Sequence, residues 1–299
     1  MKRIFLFSAF LVLLFSSAAQ TDVGYEIKVT FKPFKNQYIY LGHYFGKTYP
    51  IIDSALLNEK SEAVFKGDGN LNGGIYLIGY PNKTGFFEVL VDKQQHFSIT
   101  ADTATIGSSI KFENSSDNVL FNHYQQFMTG KGKEINKLKD SYKTSTSKKD
   151  SAVIREKLIK LDEDIAAFRA DIIKNYRGNI LTALLMTMKE PALTGRLKNP
   201  KTKEDSLASW QYYKDHFWDD VSFYDGRMAY TTFFEEKLDK YFNQIVVPHP
   251  DSVIKELDWM LGTASINSEM TRFLLIKFVN RYLNQKYMWE DAVFLYLFE

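Results

Sequence analysis

The chain has 299 residues, 45% hydrophobic and 25% charged, an ordinary globular composition with length enough for two domains. Lysine and arginine number 38 against 36 acids, so no basic excess argues for nucleic acid or an anionic membrane. There is no cysteine, which excludes disulfides and any thiol chemistry carried by these residues.

The first element is a leader. "MKR" is a short basic start, "IFLFSAFLVLLF" an apolar run too short for a comfortable membrane span, and "SSAAQ" supplies small residues. Residues 1–19 therefore predict a secretory signal peptide cleaved near Ala19, and with it an exported, periplasmic or envelope-associated protein with no stable membrane span after cleavage. Loss of Lys2 and Arg3 leaves 36 basic and 36 acidic residues in the mature chain.

Residues 25–113 read as β. In "YEIKVTFK" (25–32) Tyr25, Ile27, Val29 and Phe31 alternate with polar residues, the pattern of a half-buried antiparallel strand. "QYIYLGHY", "AVFKG", "GIYLIGY", "FFEVLVD", "HFSIT" and "SIKFE" follow as further strands, separated by Gly, Asn, Asp and Pro clusters. Short strands at this spacing predict a small antiparallel sandwich or barrel-like domain. "GDGNLNGG" (67–74) lacks the Lys-Ser/Thr ending of a phosphate loop and opens no helix, so it reads as a pair of β-turns. Asp53-Ser54, a conceivable catalytic dyad, reads more simply as capping a turn between strands.

From residue 117 to 299 the period becomes helical, and the fold class is α+β: a β-sandwich or barrel-like domain followed by an all-α bundle. Ile154, Leu158, Leu161, Ile165, Phe168, Ile172 and Tyr176 step by fours and threes, a stripe that predicts one long helix packed within the domain. Other helices fit 117–143, 179–189, 203–218, 227–243, 252–263, 268–285 and 289 onward. Thr202 with Asp205 predicts a capping box, Asn267 an N-cap, and Pro250 an early helix position. The stretch 129–149 carries seven lysines; with Tyr142 its single aromatic, it reads as a solvated helix end rather than an anion site.

Chemistry is sparse. His43, His96, His123, His216 and His249 lie far apart, none sits at helical ligand spacing from another histidine and no HExxH-like pattern appears, so neither metal nor cofactor is expected. The densest cluster is "WQYYKDHFWDDVSFYDGR" (210–227). A hydrolase would use Asp219 or Asp220 among rings that stack on sugars. The structural reading has Leu207, Trp210, Tyr213 and Phe217 sharing one helix face while the aspartates end that helix and start the next.

Tyr40-Leu41, Ile52-Asp53-Ser54-Ala55, Val64-Phe65-Lys66-Gly67 and Gly74-Ile75-Tyr76-Leu77 together resemble the N-terminal domain of exported Bacteroidetes-type thiol-disulfide oxidoreductases. Residues 216–261 and "MWEDAVFLYLFE" resemble the helical linker domain that follows in those proteins. In that family a thioredoxin-like domain of the TlpA/AhpC-TSA type, bearing Cys-x-x-Cys, comes next. The resemblance therefore implies a fragment, a truncated product or a variant without its redox domain, and no catalytic residue is carried over.

The function expected on this basis is non-catalytic: a scaffold, substrate-presenting or oligomerising region whose partner is the missing thioredoxin-like domain or another protein. A homo-oligomer is a further possibility, and nucleic acid is not a partner. The alternative is a stand-alone periplasmic binding module for peptide or glycan that uses the aromatic cluster 210–224. Candidate interaction residues are Trp210, Tyr213, Trp218, Asp219, Tyr224, Phe294 and Phe298. The apolar "VFLYLF" run (293–298) predicts that some of Phe294, Leu295, Leu297 and Phe298 stay exposed.

Overall fold

A computed structural model of the chain describes residues 23–298; the expected signal peptide lies outside the described residues. Strands β1 (Tyr25–Lys32), β2 (Tyr38–His43), β3 (Ile51–Leu56), β4 (Glu62–Gly67), β5 (Gly74–Gly79), β6 (Phe86–Val91) and β7 (His96–Asp102) are followed by the short helix α1 (Ile106–Ser109) and by β8 (Lys111–Glu113). They form two four-stranded sheets, in the orders β4-β1-β7-β8 and β3-β2-β5-β6.

The inward faces of the sheets share one core. Ile27, Val29 and Phe31 of β1 meet Ile39 and Leu41 of β2, Phe65 of β4 and Ile78 of β5 in it. All seven are fully buried, worth about 1.5–3 kcal/mol for each large side chain. The alternation in "YEIKVTFK" thus marks the core face, as expected. Its pairing is mixed, however: β1 runs antiparallel to β4 but parallel to β7. Period-two alternation is the same for either neighbour, so it carries no information about strand direction.

Two local expectations are corrected. Asp53 and Ser54 lie inside β3, paired with Leu41 and Tyr40 of β2, rather than at a turn. The Asp53 carboxylate instead accepts a hydrogen bond from the Tyr25 hydroxyl, 3.1 Å away. Residues 67–74 do not make a turn within one sheet; they cross from β4 in the first sheet to β5 in the second. Their second glycine pair serves close approach as well: a Cβ on Gly74 would stand 2.3 Å from the Cβ of Tyr230 in the helical part.

The helical part begins with α2 (Ser116–Thr144) and α3 (Lys148–Asn175). They form an antiparallel hairpin in which Tyr124 stacks on Phe168. Leu161 and Ile172 of the predicted stripe are buried, whereas Tyr176 at its end is 46% exposed. Residues 125–160 include no fully buried side chain, so the lysine-rich 129–149 segment is the solvated end of this hairpin.

Next come α4 (Ile180–Thr187), α5 (Gly195–Lys198) and α6 (Lys203–Asp215). Instead of one helix over 227–243, three segments appear: a 3₁₀ turn (Gly226–Tyr230), α7 (Thr232–Lys240) and a π-helical turn (Tyr241–Ile245). The last is closed by the Val246 N–H donating to the Tyr241 carbonyl. Helices α8 (Pro250–Ala264), α9 (Ser268–Leu283) and α10 (Glu290–Tyr296) complete the bundle. Three predicted end signals hold: Thr202 Oγ1 accepts from the Asp205 N–H, Asn267 Oδ1 accepts from the Met270 N–H, and Pro250 opens α8. The Leu207–Phe217 face is not wholly a core face, because Leu207 is 63% exposed while Phe217 is buried.

The two parts are fastened together. β5 is buried on both faces: Tyr76 and Ile78 point into the sandwich, while Ile75 joins the helical core together with Leu90 of β6. β6 is a sheet edge, and the wholly buried Asn118 of α2 satisfies it. Its side chain accepts from the Leu90 N–H and donates to the Leu90 carbonyl, both at 2.7 Å. Asn118 thereby stands in for the next strand. Arg227 adds a bridge, bidentate to Asp225 and 2.7 Å from Asp92 of the β part.

Candidate functional site

After β2 the chain turns back to β3 through Phe45-Gly46-Lys47-Thr48, closed by reciprocal hydrogen bonds between the backbones of Phe45 and Thr48. Gly46 has φ +58°, and a Cβ there would lie 1.9 Å from Glu235 Oε2. Only glycine lets this turn press against α7 without strain. Phe45 reaches past it, edge-on to Tyr230 and Phe273 with centroids 5.9 and 5.3 Å away, and anchors the turn in the helical part.

The turn roofs a groove whose floor is α7 with its π-helical extension and whose far wall is α9. Two adjoining hollows of about 520 and 710 Å³ share Phe45, Lys47, Thr48 and Ile276. This is the size range of small-ligand sites, and such sites favour the boundary between structural units.

A charge network forms the floor. Asp239 takes Lys47 Nζ at 2.5 Å and Lys277 Nζ at 2.9 Å, and Lys277 also reaches Glu235 at 2.5 Å. Burial opposes ionisation of Asp239, but the hydrogen bonds from Lys47 and Lys277 outweigh it and hold the carboxyl below its ordinary range. The Asp239 hydrogen bond in turn raises the Lys47 pKa. Arg281 donates to Asn243, which the π-helical turn carries to the groove. Glu290 is spent on the backbone N–H groups of Lys286 and Tyr287. At the rim the side chains of Asn280, Asn284 and Lys286 have no hydrogen-bond or ion-pair partner among the described residues, and Ile276 is 44% exposed.

The sequence-derived candidates do not converge on this groove. Trp218 is 8% exposed and packs among Phe217, Phe223 and Tyr241, with its indole N–H buried. The Trp210 indole donates to the Ile245 carbonyl at 3.1 Å, and the Tyr213 hydroxyl donates to Glu190 at 2.7 Å. Asp219 is at the surface, paired with His216 at 2.7 Å, and Tyr224 is 59% exposed. With Trp218 inside and Tyr224 outside, the two rings do not line one face. Among the described residues no three His, Asp or Glu side chains gather as a metal site.

Within the same cluster lies a buried cation that sequence reading missed. The Lys237 ammonium sits over the Phe217 ring at 4.5 Å and donates to the Lys189 carbonyl at 2.5 Å. Burial pushes its pKa down to about 8. The enclosure is aromatic and closed, so Lys237 is a packing feature rather than an open nucleophile.

In α10, which begins at the groove residue Glu290, Val293 is fully buried and anchors the helix, while Phe294 and Leu297 pack partly on the helical core. Leu295 and Phe298 are 59% and 67% exposed, so the expectation of an exposed apolar run is met for those two. Tyr287 and Met288, just before α10, are 62% and 94% exposed.

No sequence pattern had marked the groove, because its walls come from positions as far apart as Lys47 and Asp239. The one local trace is Gly46, set in a tight turn of otherwise bulky residues. No curated protein and no solved structure matches the chain. Residues 188–299, the stretch that carries the floor and far wall of the groove together with α10, match a family model described as a domain of unknown function, DUF5106.

Proposed function

We propose that this chain is an exported, non-catalytic accessory region of a thiol-disulfide oxidoreductase system, which docks a thioredoxin-like domain and holds substrate near it. The observation that carries the reading is the outward apolar face at α10. Leu295 lies on α10, which Val293 pins, and Phe298 in the turn that follows it, with Tyr287 and Met288 beside the helix start. Burying what remains exposed of this leucine and phenylalanine contributes at most about 1.5–3 kcal/mol each, the scale of an interface hot spot. The resemblance of residues 40–80 and 216–261 to the exported oxidoreductases supplies the partner's identity. These residues contain no cysteine, so the redox-active thiols have to come from that partner.

The test mixes the purified chain with a thioredoxin-like Cys-x-x-Cys domain of an exported oxidoreductase from the same source. Titration calorimetry follows binding, and reduction of a protein disulfide follows rate. Saturable binding is expected, weakened at least tenfold by Leu295→Asp with Phe298→Asp and left unchanged by Tyr224→Ser. No binding and no change in rate would overturn the reading. Export is checked separately: the mature protein should begin at Gln20 by mass spectrometry.

A second reading, a stand-alone binding module, draws support from a different place than expected. The aromatic cluster 210–224 turns its tryptophans to packing, whereas the groove under Gly46 offers open polar groups.

A further inference from the structure

We infer that the groove between the 45–48 turn and α9 is a binding site for an extended acidic peptide. The groove borders the α10 face at Lys286 and Glu290, but the inference does not rest on Leu295 or Phe298 and does not need that face.

Shape comes first. Arg272, Ile276, Asn280 and Asn284 follow one another at steps of four, a single ridge along α9 ending on its C-cap. At 1.5 Å per residue the ridge runs roughly 18 Å, the length of five or six extended residues at about 3.3 Å each. The opposite wall is the roof turn with Tyr49 and Pro50 beyond it. A trough of this outline suits a strand-like segment better than a compact metabolite.

The hydrogen-bonding pattern agrees. Asn280 and Asn284 lie one helical turn apart, with Cβ atoms about 6 Å from each other. In an extended peptide the groups that face one side recur every second residue, about 6.6 Å apart. Each carboxamide offers a donor and an acceptor and can pair with one peptide unit. Ile276, half exposed in the shared middle of the two hollows, gives an apolar side chain somewhere to rest.

Charge decides the ligand's sign. Glu235 and Asp239 are already occupied by Lys277 and Lys47, and Glu290 by backbone N–H groups. The open charge at one end is then the Lys286 ammonium. At the other, Arg272 is paired with Glu269 yet lies over the Phe45 ring with its side chain 55% exposed. A cation near each end favours carboxylates near both ends of the ligand. A neutral glycan fits less well, because it would leave the Lys286 and Arg272 charges unmatched.

The experiment titrates the purified chain into a fluorescein-labelled hexapeptide pool with glutamate fixed at both ends, read by fluorescence anisotropy. Saturable binding in roughly the 10–100 μM range is expected, weakening several-fold as salt rises from about 50 to 300 mM. Lys286→Glu should weaken it about five- to tenfold, and Asn280→Leu with Asn284→Leu by a similar factor, each with the circular dichroism and melting of the parent. Asp219→Asn, outside the groove, should leave it unchanged. The inference is overturned by any of three results: no saturable binding of the acidic pool, equal affinity for a lysine-fixed pool, or a preference for chitohexaose over peptide. Folded rim variants that bind as the parent does would overturn it as well.

Discussion

Asn118→Ala tests how the two parts are joined. The asparagine is wholly buried and makes two 2.7 Å hydrogen bonds to the backbone of Leu90 on the edge strand of the second sheet. Alanine leaves that N–H and carbonyl without partners in a site closed off by α2. An unsatisfied buried backbone group costs about 1–3 kcal/mol, so the pair together should cost about 3–4 kcal/mol after local relaxation. That is a large share of the 5–15 kcal/mol typical of a folded domain. Urea unfolding followed by tryptophan fluorescence reports the helical part, since Trp210, Trp218, Trp259 and Trp289 all belong to it. Far-ultraviolet circular dichroism reports the whole chain. The variant should lower the midpoint by about 1 M urea, separate the two signals into distinct transitions, and speed hydrogen exchange at the Leu90 amide. A loss below about 1 kcal/mol, with Leu90 protection unchanged, would refute the view that Asn118 replaces a strand at this edge.

Two further predictions concern the groove turn and the buried lysine. Gly46→Ala forces a left-handed backbone on a residue with a Cβ and drives that atom against Glu235, so it should cost about 1–3 kcal/mol in urea unfolding. It should also weaken acidic-peptide binding by displacing the roof, whereas parent-like melting would show that the turn does not press on α7. Lys237 has a folded pKa of about 8, below its ordinary value of 10.5. Between those values the unfolded chain binds more protons than the folded one, so stability rises with pH in that window and the penalty is full below pH 8. Water at the edge of the site screens part of this, which leaves a gain of about 1–2 kcal/mol from pH 7.5 to 10 relative to Lys237→Met. A constant difference between the two proteins across that range would refute the burial argument.

Much of the architecture was legible locally. Alternation in residues 25–32 marks the face that enters the sandwich, because a strand buried on one side must place apolar residues at every second position. Asn267, Thr202 and Pro250 announced helix starts, because unpaired N–H groups at a helix end demand such residues nearby. The apolar run at 293–298 announced surface that this bundle does not cover, and Leu295 and Phe298 are that surface. Local chemistry of this kind depends on a handful of neighbouring residues and is written in order along the chain.

Other features depended on what arrives from far away. The parallel pairing of β1 with β7, the passage of residues 67–74 from one sheet to the other, and the division of 227–243 into three segments leave alternation and helical period unchanged. In the 210–227 cluster the same aromatic composition puts Trp218 inside and Tyr224 outside, according to which helices close over each ring. The groove is the extreme case: Lys47 and Asp239 stand 192 positions apart and meet at 2.5 Å only because Ile75, Leu90 and Asn118 hold the sheet against the bundle. Charge pairing at that separation has no periodic trace in a single sequence, so composition and spacing specified the two parts, and their packing alone created the site between them.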